Sequence, residues 1–281
     1  MTSDIAPDAT SALAKGNREV IADHYVRVDV KDELKLHKFK IYVRLNANRR
    51  RFKNVSFEHC VFEGCYFRDC VFDSCDFTGC KFVSCNFHHS SFADCKFEYV
   101  TFERSMVDAD ILSSAPKQEN LRLRFARTLR MNFQQIGDAK AVNQAINMEL
   151  EATARHLRES WFSEERYHRE KYRGFKRIGQ FLAWSEFWIL HFVWGNGESI
   201  PKLVRSILIA MVVIALYDAV ALRSDPTITD YWESLKIAPA VFLGTLARQH
   251  HSIVAVSVVV ASRLIALSLL TALLVKRLGR R

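Results

Sequence analysis

The chain has 281 residues, 49% of them hydrophobic and 25% charged, with 40 Lys and Arg against 31 Asp and Glu for a formal charge of +9. That balance is ordinary for a folded protein, and the length leaves room for two or three modules. The basic excess gathers beside two apolar segments near the C-terminus, so the charge calls for no nucleic acid.

The opening stretch, MTSDIAPDATSALAKGNREV, holds no apolar core of the secretory kind. The chain is therefore expected to begin in the cytoplasm, with residues 1–25 a flexible N-terminus. Residues 26–45, VRVDVKDELKLHKFKIYVRL, alternate apolar and polar positions and are expected to supply strands that cap the module behind them. From residue 52 to residue 102 Phe then returns at every fifth position, and all seven Cys of the chain keep the same period. On an α-helix successive Phe would be rotated by about 140° and form no face. On a straight strand an odd spacing throws them onto opposite sides. The period fits a backbone that turns a corner after each pentapeptide, so that each short side points its central residue at a common axis. Phe57, Phe62, Phe67, Phe72, Phe77, Phe82, Phe87, Phe92 and Phe97 then stack inside. The residue two places before each centre also points inward and must be small: Cys60, Cys65, Cys70, Cys75, Cys80, Cys85 and Cys95 hold that place, with Ser90 and Ser105.

With a small residue at i−2, a frequent Asp or Asn at i−1 and Phe at the centre, residues 50–112 resemble the pentapeptide-repeat proteins, Val107 and Leu112 serving as the last centres. The resemblance implies a right-handed quadrilateral β-helix with four pentapeptides per coil. Thirteen units would give a little over three coils, a rod about 15 Å long. Residues 50–108 hold seven Lys or Arg against nine Asp or Glu, which argues against the strongly acidic, DNA-mimicking branch of that family. Four-residue gaps between thiols lack the pairing of zinc sites, and inward thiols on successive corners point at different faces. The cysteines are expected to be free core thiols, although Cys60 and Cys80, stacked on adjacent coils, would stand at a separation that a disulfide tolerates. His59, His88 and His89 fall at outward positions. No metal and no cofactor is expected.

Residues 121–161 read as two helices separated near Gly137 and Asp138, the second opening after an acidic cap. They belong to an expected α-helical cytoplasmic linker over residues 113–180. FLAWSEFWILHFVWGNGES follows, rich in Phe and carrying Trp184, Trp188 and Trp194. With Glu186 and His191 it is short for a membrane span, and its indoles suit the headgroup zone, so residues 181–202 are expected to form an interfacial helix and juxtamembrane segment, partial insertion staying open. Residues 203–222 and 253–275 are each long enough to cross a bilayer. Residues 203–281 are thus expected to be a two-span α-helical hairpin, giving the whole chain a mixed fold. Lys171, Arg173, Lys176, Arg177, Lys202 and Arg205 precede the first span, and Lys276, Arg277, Arg280 and Arg281 follow the second. Arg223, Lys236 and Arg248 in the connection are balanced by Asp225, Asp230 and Glu233. The positive-inside rule then keeps both termini cytoplasmic at the inner membrane, with anionic lipid as a partner.

The C-terminal half is similar to bacterial pentapeptide-repeat proteins that continue through a GD-containing helix, an acidic helix, a W-G-x-G-E stretch and a two-span region like that of two-helix ion channels. Gly137 and Asp138, Glu149, and Trp194, Gly195, Gly197 and Glu198 stand where that arrangement would place them. The resemblance implies a pore built by several subunits, with a re-entrant segment at residues 231–248. A potassium filter needs consecutive carbonyls with glycines among them, and here only Gly244 remains, so selectivity of that kind is not expected. The segment serves equally well as a cap over the hairpin. Arg263 falls near the midplane, where a cation costs at least ~2.5–3.5 kcal/mol, and Asp218 lies nearer the outer side. Two readings stand open: an intramembrane Arg263–Asp218 pair, or an Arg263 that lines a pore.

Two functions follow, an anchored β-helix that recognises a protein partner or senses a signal, and an oligomeric pore gated through the β-helix. The chain lacks the P-loop, the H-E-x-x-H helix and the G-x-S-x-G elbow, so no enzyme is expected. A homo-oligomer is expected in either case.

Overall fold

The computed structural model describes residues 18–163, 169, 172, 174–222, 227–246 and 252–278. They form two compact units divided between His156 and Leu157.

In the first unit nine short strands wind as a coil: β1 (Val20–Ala22), β2 (Val30–Lys31), β3 (Ile41–Val43), β4 (Arg51–Lys53), β5 (Val61–Glu63), β6 (Val71–Asp73), β7 (Lys81–Val83), β8 (Ser91–Ala93) and β9 (Thr101–Glu103). Parallel pairing sorts them into a five-stranded face, β1-β3-β5-β7-β9, and a four-stranded face, β2-β4-β6-β8. The two other sides are held by single bridges, Asn46 to Tyr66 to Asn86 to Met106 and Ser56 to Asp76 to Lys96. Phe62 pairs with Phe82 and Phe82 with Phe102, so one turn takes twenty residues and each side is one pentapeptide. The result is a β-solenoid of about four turns.

The corners are made by the residue two places after each Phe, which takes the left-handed conformation: His59 (φ 58°), Asp69 (56°), Ser74 (55°), Ser84 (52°) and Asp94 (50°) are examples. Its N–H then reaches the next coil, as His59 does to the carbonyl of Thr78 at 2.8 Å. At Gly79 a side chain is also excluded by contact, because a Cβ there would stand 2.3 Å from Nδ1 of His59 one coil back. Inside, equivalent rings stack, with Phe62 and Phe82 5.0 Å apart at 16°, while sequential rings meet edge-on, with Phe62 and Phe67 5.6 Å apart at 74°. Both geometries suit the aromatic quadrupole. Phe57, Phe62, Phe67, Phe72, Phe77, Phe82, Phe87 and Phe97 are buried, whereas Phe92 is half-buried at the last coil of its face.

The thiols face inward beside the rings. Each donates to a carbonyl of the preceding coil: Cys80 Sγ to Phe57 O at 2.9 Å, Cys75 to Phe52 O at 3.4 Å and Cys85 to Phe62 O at 3.4 Å. All seven cysteines are free, six buried and Cys95 half-buried. Burial pushes the Cys60 and Cys70 thiols up to about 11 and holds Cys80 and Cys85 well above the usual thiol range, whereas hydrogen bonds from Cys85 and Cys95 lower Cys65 and Cys75.

The solenoid begins earlier than the alternating pattern suggests. Residues 26–45 do not form a separate cap but wind within the coil, and β1, inside the stretch expected to be flexible, pairs with β3. Val20 lies opposite Ile41 and Val30 opposite Phe52, so the first turns carry one or two extra residues, and with no Cys and Phe only at the corner position 39 they show no five-residue ladder. Residues 1–17 lie outside the described ones. At the other end Leu112 is not a pentapeptide centre but part of a 3₁₀ helix, Ala109–Ser114, that closes over β8. Ser114 Oγ there donates to Phe92 O at 3.1 Å.

The first helix beyond the coil is a cap rather than a linker. Along α1 (Glu119–Ile136), Thr128, Asn132 and Gln135 fall on one face and accept the edge amides of the last coil. Phe102 N–H goes to Thr128 Oγ1 (3.1 Å), Arg104 N–H to Gln135 Oε1 (2.8 Å) and Ser105 N–H to Asn132 Oδ1 (2.7 Å). Asn132 Nδ2 returns a bond to Ser105 O at 2.7 Å. Leu121, Phe125, Leu129 and Phe133 are buried, and Phe125 meets Phe97 at 5.6 Å. Gly137, left-handed at φ 78°, ends α1, and Asp138 Oδ1 accepts from Ala141 N–H at 2.9 Å to start α2 (Ala139–Phe162).

The second unit contains α3 (Phe175–Trp194), α4 (Ile200–Leu222), α5 (Ile228–Leu243) and α6 (Ile253–Leu278). The helices α4 and α6 are long and apolar enough to cross a membrane, by length and composition. A small core of Ile214, Ala215, Ala238 and Phe242 joins α4 to α5, with Val259 and Ala266 of α6 against it.

Two outcomes test this packing. Asn132 is fully buried, so Asn132→Ala strands two backbone groups of Ser105 and is expected to lower solenoid stability by about 2–4 kcal/mol, read as the urea midpoint of the β-type circular dichroism signal of the full chain. Raised thiol values mean that the folded coil keeps protons that an unfolded chain would release. The contribution of Cys60, Cys70, Cys80 and Cys85 is therefore expected to be level below about pH 9 and to fall as pH rises toward 11, by about 1.4 kcal/mol per unit for each of these four. A midpoint independent of pH across that window contradicts the buried-thiol assignment.

Candidate functional site

The surface of the solenoid is laced by ion pairs between equivalent positions of neighbouring coils. Lys38 reaches Glu58 at 2.6 Å, Lys53 reaches Asp73 at 3.6 Å, Lys96 reaches Asp76 at 3.4 Å and His89 reaches Asp69 at 3.4 Å. Every one joins residues twenty apart, a spacing legible as alternating charge once the coil length is known. His88 accordingly sits on Asp108 at 3.0 Å, and the His59 ring stacks on Phe39 at 5.1 Å. Among the described residues no group of three or more His, Cys, Asp or Glu could hold a metal ion.

The polar contacts of the second unit concentrate at three places. At the turn from α3 to α4, Gly195, Asn196 and Gly197 are all left-handed. Lys276, near the end of α6, donates to Gly197 O at 3.0 Å and pairs with Glu198. Lys202 Nζ meets His191 Nε2 at 2.8 Å. Burial, with Lys202 and Arg205 beside it, holds His191 below the usual imidazole range, so the ring accepts that bond in its neutral form. Arg205 donates to Phe192 O and lies over the Phe192 ring at 4.3 Å. None of the residues of α3 is buried, and Phe175, Leu182, Trp188 and Ile189 are exposed.

The other two places fix α5. Thr227 and Asp230 form a capping box at its start, and Ser234 Oγ donates to Asp218 of α4 at 2.8 Å, both residues being buried. At its end Arg263 Nη1 donates to Leu243 O at 2.9 Å. Gly244 follows in the left-handed region (φ 77°), where a Cβ would stand 1.8 Å from that nitrogen. The structure thus brings Arg263 and Gly244 together and takes Asp218 to Ser234 instead. One short helix is pinned to α4 near its beginning and to α6 at its end.

Ser234 and the Leu243 carbonyl were not legible as partners. A serine in a mixed-charge segment carries no distinctive signal, and a backbone carbonyl has no letter at all. Lys171, Arg173, Arg223, Asp225, Arg248, Arg280 and Arg281, counted above for orientation, lie outside the described residues, as do positions 247 and 248 of the expected re-entrant segment. Glu149 lies between Arg127 (2.8 Å) and Arg130 (3.0 Å), an ion pair from α2 to α1.

The family model described as pentapeptide repeat region matches residues 48–114. Two solved structures of trypsin-treated QnrB1, a plasmid-mediated fluoroquinolone resistance protein, are similar to this chain at 15% and 14% identity, with TM-scores of 0.14 and 0.12. The alignments cover 33% and 32% of this chain and 57% and 54% of those chains. No curated protein matches significantly. Residues 48–114, by that family match and by the five-residue coil they build, are a pentapeptide-repeat β-solenoid, followed in the chain by helices of which two are long and apolar.

Proposed function

We propose that the chain is a membrane-anchored protein whose cytoplasmic β-helix serves as a rigid protein-interaction or sensing module. The observation that carries this reading is the outer surface of α6. Across its 26 residues only Leu273 is buried, while Ile253, Val254, Val258, Leu264, Ile265 and Val275 are exposed. In water each such side chain forgoes about 1.5–3 kcal/mol of burial, whereas a hydrocarbon layer accepts it. As a helix α6 is about 39 Å long, enough to cross with some tilt. Leu208, Val213 and Val220 of α4 are exposed in the same way.

Lys202, Arg205, Lys276 and Arg277 mark the ends of these helices that face the cytoplasm under the positive-inside rule, which keeps both termini inside at the inner membrane. Anionic headgroups are the lipid partners there. The helix α3, with its indoles and no buried residue, lies in the interface. The β-helix offers a nearly neutral, ion-paired surface, which suits a protein partner better than nucleic acid, and no catalytic role is assigned to it. Exposed apolar faces on α4 and α6 favour association of several copies. The alternative, an oligomeric pore gated through the β-helix, has less support, because Arg263, the residue offered for its wall, is engaged with Leu243.

Fractionation and cysteine accessibility test the anchor. The chain is expected to stay with membranes through an alkaline wash and to need detergent for release. Thr227→Cys is expected to react with an impermeant maleimide from outside intact cells, and Ser163→Cys only after permeabilisation. A chain that stays in the soluble fraction defeats the anchor, and the reversed labelling pattern defeats the orientation. In planar bilayers no unitary steps are expected; reproducible ones would favour the pore.

A further inference from the structure

A helix ends in carbonyls that carry partial negative charge and have no amide of the helix to answer them. In the last turn of α5, Ala240 O accepts from the N–H of Thr245 (3.0 Å) and Leu246 (3.3 Å), and Val241 O from the N–H of Gly244 (3.1 Å). Leu243 O is answered differently, by the guanidinium of Arg263 from another helix at 2.9 Å. The approach depends on Gly244, since a Cβ there would overlap Nη1 at 1.8 Å and the φ of +77° is one that glycine adopts without penalty. Carbonyl, missing side chain and planar cation make one fitted seat. On α6, Val259 and Ala266 flank Arg263 on the same face and pack against the α4–α5 core, which fixes the height at which the cation is presented.

We infer that this seat is a cation site closed by the protein's own side chain: Arg263 holds the position that the C-terminal end of α5 makes for a positive charge, so the helix end does not receive a mobile cation. The seat takes the guanidinium class, small, planar, monovalent and donating hydrogen bonds. A spherical metal ion requires several converging oxygens, and the contact here is one carbonyl beside a glycine. The Asp218–Ser234 bond and the packing of Ala238 and Phe242 on Ile214 and Ala215 hold α5 to α4 without using Arg263, so the helix is expected to keep its place when that residue is replaced. Closure against cations in a lipid layer rests on the membrane-anchor reading; the geometry of the seat does not.

The test uses the full chain in detergent micelles and follows thermal melting by indole fluorescence, for which Trp232 on α5 is a local reporter. Arg263→Ala is expected to melt about 5 °C below the parent chain. Millimolar methylguanidinium is expected to restore at least half of that loss saturably, with no saturable gain for the parent chain and none from tetramethylammonium, which has no N–H. Equal melting of Arg263→Ala and the parent, a rescue that fails to saturate, or the same gain in both chains overturns the inference. Where Arg263→Ala is not recovered folded, Arg263→Lys and Arg263→Met decide: a higher melting point for Lys supports a seat for positive charge, and equality overturns it. A chain that needs no detergent defeats the anchor alone, while a membrane-bound chain without the methylguanidinium response defeats only the seat.

Discussion

The first unit depends on one backbone event repeated every fifth residue, the left-handed turn two places after each Phe. Bending there makes each side one pentapeptide long, too short for a long strand and too narrow inside for more than one ring and one small residue. The Phe and Cys ladders are consequences of that radius. Left-handed geometry costs a non-glycine residue roughly 1–2 kcal/mol, and the chain keeps the cost low by placing Asp, Asn, Ser, His or Gly at most corners. Phe39, Arg44, Arg49, Tyr99 and Arg104 stand there without that advantage. Their neighbours over-determine the turn: Arg49 N–H is bonded to Arg68 O of the next coil and Arg104 N–H to Gln135 of α1, and the rings on either side of Tyr99 and Arg104 are locked against their neighbours.

A coil of this kind also has to end. Its last turn presents a row of amides that in mid-coil would find the carbonyls of the following turn, and an open row of that sort pairs with other chains. Here α1 supplies side-chain oxygens in place of backbone ones, from Thr128, Asn132 and Gln135, while Phe125 continues the aromatic column by meeting Phe97. The helix therefore substitutes for a fifth turn in both hydrogen bonding and packing. A polar stripe along a helix, unremarked when it is assumed to face water, becomes the face that closes the rod.

The coil was legible because its period is written in residue identity: only Phe repeats at the centres, and a five-residue spacing has no meaning on a helix or a straight strand. The first turn was hidden for the converse reason. Its inward residues, Ile21, Val26 and Val30, are unlike one another and irregularly spaced, so alternation was the stronger signal and suggested a separate cap. The role of α1 could not be read either, since an acceptor stripe acquires meaning only once the position of the last coil is known. In the second unit the charge of Arg263 and the carboxylate of Asp218 were visible as polar groups that need partners. Opposite charges suggested that they were each other's partners, but a carbonyl and a hydroxyl satisfy them separately.

Under the membrane-anchor reading proposed above, that division bears on how the hairpin acquires a definite structure. Between apolar helices the hydrocarbon competes as well as any neighbour, so the exposed Val, Leu and Ile of α6 do not select a partner or a height. Polar groups do, because the layer offers them nothing. Three contacts then set the register: Asp218 with Ser234 holds α5 against α4, Arg263 with Leu243 holds its far end against α6, and Lys276 with Gly197 ties the end of α6 to the turn before α4. Each uses a different kind of acceptor, a carboxylate, a helix-end carbonyl and a turn carbonyl. A slip of one helix by a single turn, about 5.4 Å, would break at least one of them. The apolar residues make α4 and α6 long and apolar enough to cross a membrane, and these few polar ones fix how the helices meet.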